Sequence, residues 1–236
     1  MAALAKFEQI LKLKTELKIL LLLLGLCGSA YAQGFINLDF ESATIVRDTS
    51  SQWYPNAVYT SNAMPGWTVT GSYFGQNDVL YDNFSLGAPA VTIYDTNGYS
   101  DVLGGKYSIV LYGGAEPSAG VSISQTGLVP AYAQSLSFKA VSVIGTLLVS
   151  LGGQSLAFFP LATYTNYTLY GASIPAGMAG QSEQLMFNAL PGNNNNWLLD
   201  DIQFSSSSVP EPGALGLGAA GGMFLAWLRW RNLNKF

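Results

Sequence analysis

The side chains that could perform catalysis are few in this chain, and their types narrow the possible chemistry. The sequence contains no histidine, and its one cysteine is Cys27. Serine triads that need an imidazole, cysteine–histidine dyads and histidine-ligated zinc sites are therefore excluded from any mechanism carried by this chain alone. What remains is a pair of carboxylates, as in glycoside hydrolysis, or a serine with a lysine. Because carboxylates are sparse, Lys106 and Lys139 fall in predicted strands, and no G-x-S-x-G motif occurs, we expect no enzyme activity.

Aromatic residues crowd the first half of the chain beside amides and acids. They are Trp53, Tyr54, Tyr59, Trp67, Tyr73, Phe74, Tyr81 and Tyr94, among Asn56, Asn62, Gln76, Asn77, Asp78, Asp82 and Asn83. Sugar rings pack their C–H faces on aromatic planes, and their hydroxyls bond to amides and carboxylates, so this mixture suits a glycan site. The alternative is core packing, and we expect Trp67, which follows Pro65-Gly66, to be buried. No single ligand-binding residue can be named.

The elements that must position these residues are predicted to be β-strands. Stretches rich in Val, Ile, Tyr, Phe and Thr are separated by glycine pairs and Pro-Gly turns; they cover residues 68–70, 91–94, 107–112, 121–124, 136–141, 145–151 and 164–170. Several alternate apolar and polar residues with period two, as half-buried strands do. This pattern predicts about eight to ten strands in one all-β domain, an antiparallel β-sandwich with a jelly roll favoured over a barrel. The domain is expected to cover residues 33–204, followed by Ser205–Ser208 as a flexible linker.

The start of the chain has the organisation of a secretory signal peptide. Four lysines precede residue 19, an apolar run covers residues 19–26, and Ala30-Tyr31-Ala32 supplies an A-x-A cleavage site. We expect residues 1–32 to form a signal helix that engages the Sec translocon and is cleaved after Ala32; an uncleaved N-terminal anchor is the alternative. Since cleavage also removes Cys27, the mature protein would depend on core packing or on a metal for its stability.

The body between residues 33 and 209 is acidic. It holds eleven Asp and Glu residues against three basic ones, Arg47, Lys106 and Lys139, which gives a net charge of −8. Binding to nucleic acid requires a cluster of cations that neutralises phosphates. The charge therefore argues against a nucleic-acid partner.

The end of the chain combines a short motif, an apolar segment and a basic terminus. Val209-Pro210-Glu211-Pro212 precedes the apolar residues 213–228, and Arg229, Arg231 and Lys235 follow. At a helical rise of about 1.5 Å, this segment covers about 24 Å, slightly less than a hydrocarbon core of about 30 Å. We expect a single C-terminal transmembrane helix over residues 213–228 with its basic end in the cytoplasm.

These 28 residues, 209–236, resemble the PEP-CTERM sorting tail. The resemblance implies that an exosortase of a Gram-negative bacterium recognises the motif and processes the chain near Glu211-Pro212. The membrane helix would then be transient, and the body would reach the cell surface or the extracellular space. The segment is rich in glycine, which is a mild departure from the family pattern.

The two ends of the body carry a second resemblance. Asn37-Leu38-Asp39-Phe40-Glu41 near the beginning and Trp197–Phe204 at the end are similar to the terminal strands of jelly-roll carbohydrate-binding modules and other galactose-binding-like domains. The resemblance implies adjacent first and last strands with a structural Ca²⁺. Glu41 and Asp201 would supply carboxylates, and Asn37, Asp39 and Asp200 are further candidates. An all-oxygen donor set suits calcium; the alternative is that these acids face water at the strand ends.

The sequence thus predicts an exported surface protein whose β-sandwich binds a glycan or serves in an exopolysaccharide matrix. A purely structural surface protein without a discrete ligand site is one alternative. A carboxylate-dependent glycoside hydrolase is another. A groove lined by exposed aromatic side chains would favour the glycan hypothesis over the structural one.

Overall fold

The computed structural model describes residues 33–51, 54–85, 87–98, 101–115, 117–142, 144–192 and 195–209. The predicted signal helix and the sorting tail from Pro210 onwards, including its membrane segment, lie outside this range. Within the described residues, no helix has the length and apolar character needed to cross a membrane.

Almost all regular structure in the described residues is β-strand. One helical turn, α1, covers Thr60–Ala63. The strands are β1 (Ala57–Tyr59), β2 (Thr68–Thr70), β3 (Asp78–Tyr81), β4 (Ala90–Asp95), β5 (Tyr107–Tyr112), β6 (Val121–Leu128), β7 (Ser135–Ser142), β8 (Leu147–Leu151), β9 (Gln154–Leu156), β10 (Phe158–Thr163), β11 (Thr168–Ser173), β12 (Ser182–Ala189) and β13 (Asn196–Ser205). The predicted all-β class is confirmed.

The strands form two sheets. The larger sheet has the order β1-β3-β4-β5-β13-β7-β11-β10, and the smaller has the order β2-β6-β12-β8-β9. Every pair of neighbouring strands is antiparallel except β3 and β4, which are parallel with Leu80 opposite Thr92. The expectation of an antiparallel sandwich therefore holds with one exception, and its assignment to the jelly roll stays a prediction.

The core lies between the two sheets. Strands of both sheets turn alternate residues inward, as in β12, where Leu185, Phe187 and Ala189 are buried and their neighbours less so. Phe138 of the larger sheet and Phe187 of the smaller sheet meet with ring centroids 5.2 Å apart in an edge-to-face contact. Burial of large side chains from both sheets holds the sandwich together.

The opening segment of the body is not a strand, contrary to the sequence-based expectation. Residues 38–42 form turns, and Asn37 and Phe40 have φ angles of +50° and +59°. Such angles are incompatible with extended pairing. The segment nevertheless lies beside the last strand, because the amide of Ile202 donates a 3.0 Å hydrogen bond to the carbonyl of Leu38. The predicted closeness of the two ends is thus present without a first strand.

Strand β13 runs one residue beyond the predicted end of the domain, to Ser205. Ser135 Oγ donates a 2.7 Å hydrogen bond to the carbonyl of Ser207, and Val209 is buried. Residues 205–209 therefore contact the sandwich, and their role as a linker stays a prediction.

Candidate functional site

The outer face of the larger sheet, turned away from the smaller sheet, carries a groove. Strand register brings its side chains together: Tyr112 of β5 lies opposite Ala90 of β4 and Asn196 of β13. One step along, Val110 lies opposite Leu198. These residues alternate with core residues on the same strands, so they project to the outer face.

Two cavities in this face share Tyr94, Tyr112 and Asn196 and therefore form one continuous groove, which we call the tyrosine groove. Their volumes are about 730 Å³ and about 420 Å³. The hydroxyl groups of Tyr94 and Tyr112 are hydrogen-bonded at 2.6 Å, which fixes both rings. At one end Phe84 is 51% exposed, and at the other Asn166 contributes an amide. The groove combines aromatic surface with amide donors and acceptors.

The far end of the groove is closed by the loop of residues 101–106, whose Leu103 lines the cavity. Two carboxylates hold this loop. Glu41 Oε1 accepts hydrogen bonds from the amides of Lys106, at 2.7 Å, and Tyr107, at 3.0 Å. Asp200 Oδ2 accepts a 2.8 Å bond from Ser108 Oγ, which itself accepts one from the Leu103 amide. The predicted terminal acids thus support a wall of the groove.

Asp200 is buried beneath this loop, with 2% of its surface exposed. Burial raises its pKa to about 7, although hydrogen bonds from Ser108 and from the Asp201 amide, together with the nearby Lys139 ammonium, act in the opposite direction. Burial in a low dielectric penalises the ionised form, whereas hydrogen bonds and cations favour it. Asp200 therefore titrates near neutral pH.

Asp201 lies within a bulge of β13. The register with β7 shifts between Asp200 and Gln203, and Asp201 has a φ of +48°. Its carboxylate accepts a bond from Gln203 Nε2 and lies 3.1 Å from Lys139 Nζ. The ammonium of Lys139 also lies 5.1 Å from the centre of the Tyr167 ring. We call Glu41, Lys139, Asp200 and Asp201 the terminal cluster.

The five candidate calcium ligands are only partly assembled. Asn37 Oδ1 accepts a bond from the Ser42 amide, and Asp39 Oδ1 accepts one from the Glu41 amide, so both serve the local turn. Among the described residues, no group of three or more acidic or cysteine side chains is arranged to hold a metal ion. Glu41 and Asp200 contact the same loop, but Asp201 is paired with a lysine. These oxygen donors are of the type that calcium prefers, but their arrangement matches a calcium site only in part.

A separate cavity of about 400 Å³ lies beside strands β1 and β3, and we call it the aromatic–acid pocket. Its aromatic lining consists of Tyr54, Tyr73 and Phe74. Tyr54 and Phe74 are perpendicular with centroids 4.3 Å apart, and Tyr73 stands perpendicular to Phe74 at 5.6 Å. Tyr73 is 66% exposed. An aromatic surface of this kind is open to a ligand from solvent.

The acid side of this pocket is formed by Asp48 and Asp78. Asp48 Oδ1 accepts bonds from the amide and hydroxyl of Ser50 at 2.8 and 2.6 Å, and from Tyr59 Oη at 3.0 Å. These bonds lower the pKa of Asp48, first through the Ser50 hydroxyl. Burial and then the charge of Asp48 raise the pKa of Asp78, which lines the same cavity. Asp78 Oδ1 is buried and accepts no hydrogen bond from any described donor.

The aromatic residues singled out by sequence divide between core and surface. Trp67 is buried as expected, with its indole Nε1 donating to the carbonyl of Asn37 at 3.0 Å. Tyr81 donates its hydroxyl to Asp95 Oδ2 at 3.1 Å. Trp53 lies outside the described residues, as do Pro210, Glu211, Pro212, Arg229, Arg231 and Lys235; Val209 is the one residue of the sorting motif that is described.

Sequence reasoning missed Phe84, Tyr112, Asp48 and Asn196 as site residues. Asp48 and Asp78 are thirty positions apart, and nothing in either local sequence indicates that they meet. Tyr112 was recognised as part of a strand, but strand periodicity does not tell which face is covered. The outward position of Tyr112 and Asn196 depends on the neighbouring strands of the sheet.

No protein-family model and no curated protein matches this chain. Solved structures similar to this chain include the following three. TmCBM61 in complex with β-1,4-galactotriose is 15% identical, with a TM-score of 0.43 over 73% of this chain and 97% of that one. The K2 cleaved adhesin domain of Lys-gingipain is 14% identical, with a TM-score of 0.40 over 74% and 98%. The enzymatically active domain of bacteriophage CBA120 tailspike protein 4 is 17% identical, with a TM-score of 0.37 over 60% and 19%.

Proposed function

We propose that the β-sandwich binds a glycan chain along the tyrosine groove. The observation that carries this proposal is the continuity of two cavities over Tyr94 and Tyr112, with Phe84 exposed at one end. Aromatic faces offer stacking surfaces for sugar rings, and the amides of Asn166 and Asn196 offer donors and acceptors for hydroxyls. An elongated groove suits several consecutive sugars.

Binding without catalysis is the function we propose. Glycoside hydrolysis needs carboxyl groups about 5 Å apart for retention or about 6.5–9.5 Å apart for inversion. In the tyrosine groove, Asp101 is the one carboxylate among the described residues that line the cavities.

We further propose that the protein is exported and sorted to the cell surface. The support is the sequence: the A-x-A site at Ala30-Tyr31-Ala32 and the motif Val209-Pro210-Glu211-Pro212 before residues 213–228. The partners are the Sec translocon and an exosortase, and membrane attachment through the C-terminal segment is transient. Mass spectrometry of the surface-released protein should give a mature N-terminus at Gln33 and a C-terminus near Glu211. If the protein keeps its tail both in the parent strain and in a strain that lacks the exosortase, the sorting proposal is contradicted.

A structural Ca²⁺ held by Glu41 and Asp200 stays a proposal. Both carboxylates reach the loop of residues 101–106, and carbonyl oxygens of that loop would complete an oxygen donor set. If the ion binds, calcium at about 1 mM should raise the melting temperature by several degrees over a chelated sample. An unchanged melting curve removes the proposal and leaves Lys139 as the cation of the terminal cluster.

The glycan proposal is tested by screening the full-length chain on a glycan array and on insoluble polysaccharides. Phe84→Ala removes an exposed ring of the groove and should weaken retention on any bound polysaccharide about tenfold. Tyr132→Ala is the matched control, since Tyr132 is 61% exposed and lies outside the groove. Retention on no member of a broad panel would favour the alternative of a structural matrix protein.

A further inference from the structure

The aromatic–acid pocket differs from the tyrosine groove in its charge. Two carboxyl groups line one side of it, while the opposite side consists of aromatic rings. Asp48 is buried, with 8% of its surface exposed, and one oxygen of Asp78 is buried without a hydrogen-bond donor. A buried carboxylate oxygen without a donor is costly, and a ligand that brings a donor would relieve that cost.

Within the part of the chain that the structure describes, no basic residue lines this pocket. The body has three basic residues, and all three are engaged elsewhere. Arg47 donates to the carbonyl of Pro55 at 2.7 Å and contacts the Tyr81 ring; Lys106 lies 3.7 Å from Asp95; Lys139 lies 3.1 Å from Asp201. Among the described residues, Asp48 is thus met by the amide and hydroxyl of Ser50 and by the hydroxyl of Tyr59, and neither acid is paired with a cation.

The aromatic side of the pocket also suits a ligand that carries a positive charge. Tyr54, Tyr73 and Phe74 stand perpendicular to one another, so the pocket presents ring faces in more than one direction. A ring face carries negative charge density and attracts a cation, and the apolar C–H face of a sugar packs on it as well. Carboxylates and ring faces together favour a ligand that joins a positive charge to a sugar ring.

We propose that the aromatic–acid pocket binds the protonated amine of an amino sugar, with the ammonium group between the Asp48 and Asp78 carboxyl groups and the ring on Tyr73. A neutral hexose leaves two adjacent carboxyl groups without a compensating charge. A uronic acid or a sulfated sugar adds a negative charge to a body whose net charge is already −8. The ammonium contributes up to three donors, which matches the unpaired Asp78 Oδ1. This assignment concerns a site separate from the tyrosine groove and does not depend on it.

The test is a titration of the full-length chain with three probes: a glucosamine tetramer, an N-acetylglucosamine tetramer of the same linkage, and spermidine. The acetylated tetramer has the same rings without the charge, and spermidine has the charge without rings. The glucosamine tetramer should bind at least tenfold more tightly than either of the others, and raising the salt concentration should weaken it. Equal affinity for both tetramers would overturn the role of the amine, and equal affinity for spermidine would overturn the role of the sugar.

Two variants locate the site. Asp78→Asn keeps the shape of the side chain and should weaken glucosamine binding at least tenfold with little change for the acetylated tetramer. Tyr73→Ala should weaken glucosamine binding similarly. Because Tyr73 is largely exposed, this variant should stay folded even if Asp78→Asn does not. Phe84→Ala, in the tyrosine groove, should leave glucosamine binding unchanged. Unchanged affinity in both pocket variants would overturn the proposal, whereas loss only in Phe84→Ala would assign the amino sugar to the groove.

Discussion

Two groups of acids in this protein have opposite surroundings. In the terminal cluster, Asp200 and Asp201 are bonded by Ser108, a backbone amide and Lys139, and Glu41 receives two backbone amides. In the aromatic–acid pocket, Asp48 accepts bonds from Ser50 and Tyr59, whereas Asp78 Oδ1 is buried without a donor beside a cavity lined by three rings. Acids whose bonding capacity is met within the chain hold structure, and acids left incomplete beside a cavity are available to a ligand.

The strongest test of the structural role of the terminal cluster is Glu41→Ala. Its removal leaves the amides of Lys106 and Tyr107 without their acceptor; because Glu41 is exposed and water can replace it in part, we expect a loss of about 2 kcal/mol in the free energy of unfolding. The loop of residues 101–106 should also loosen, and hydrogen exchange of the two amides should accelerate. Asp39→Ala is the control, because Asp39 bonds only the Glu41 amide in a turn. Equal effects of the two variants would contradict the comparison.

Asp200 should give the protein an unusual dependence of stability on pH. Its pKa of about 7 in the folded protein is above the ordinary value of 3.8, so between these limits the folded state binds more protons than the unfolded state. Stability should therefore fall as pH rises from about 4 to 7 and level off above that, by about 2 kcal/mol after allowance for relaxation of the site. Asp200→Asn should remove this contribution in urea titrations at several pH values, and a pH dependence equal to that of the parent protein would refute the assignment.

Lys139→Met tests whether the lysine is the cation of the terminal cluster. The variant keeps most of the unbranched stem of the side chain but leaves Asp201 without its cationic partner. Because both partners are partly exposed, we expect a loss of about 1 kcal/mol, smaller at high salt. Lys106→Met is the comparison variant: Lys106 lies farther from its acid, 3.7 Å from the buried Asp95, and also donates to Tyr107 Oη at 2.8 Å. If calcium stabilises Lys139→Met, a metal ion can take the place of the Lys139 ammonium.

The smallest change in stability is expected in the aromatic–acid pocket. Asp78→Asn removes a crowded carboxyl group, so the free energy of unfolding should stay within about 0.5 kcal/mol of the parent, or rise slightly. Amino-sugar binding should nevertheless fall, as described above. Thermal melting and titration of the same sample separate the two effects. A large loss of stability would place Asp78 among the structural acids and would erase the contrast between the two groups.

Much of the sandwich could be predicted from strand periodicity, because alternating residues in β5, β7 and β13 face the core as their pattern indicates. The strand pairing at the edge of the larger sheet could not be predicted in this way. Strand β3 pairs in parallel with β4, a contact between segments that no local pattern links, and β1 has only three residues. The predicted opening strand is absent because Asn37 and Phe40 adopt positive φ angles, which the hydrophobic pattern of the sequence does not indicate.

The candidate sites could be predicted only in composition. The crowding of Tyr54, Tyr73 and Phe74 near Asp78 was visible in sequence, and these residues do meet around one cavity. Their neighbour Asp48 could not be predicted, since the segment before β1 pairs with β1, and β1 in turn pairs with β3. The tyrosine groove likewise depends on the order of strands, which places β13 between β5 and β7.

The most direct measurement of the central claim is a binding titration with the polysaccharide that the glycan screen selects, comparing the parent chain with Phe84→Ala, Tyr73→Ala and Tyr132→Ala. For a neutral glycan, we predict an affinity about tenfold lower in Phe84→Ala alone, because that variant removes stacking surface from the tyrosine groove. Unchanged affinity in Phe84→Ala, or an equal loss in the Tyr132→Ala control, would contradict glycan binding in the groove.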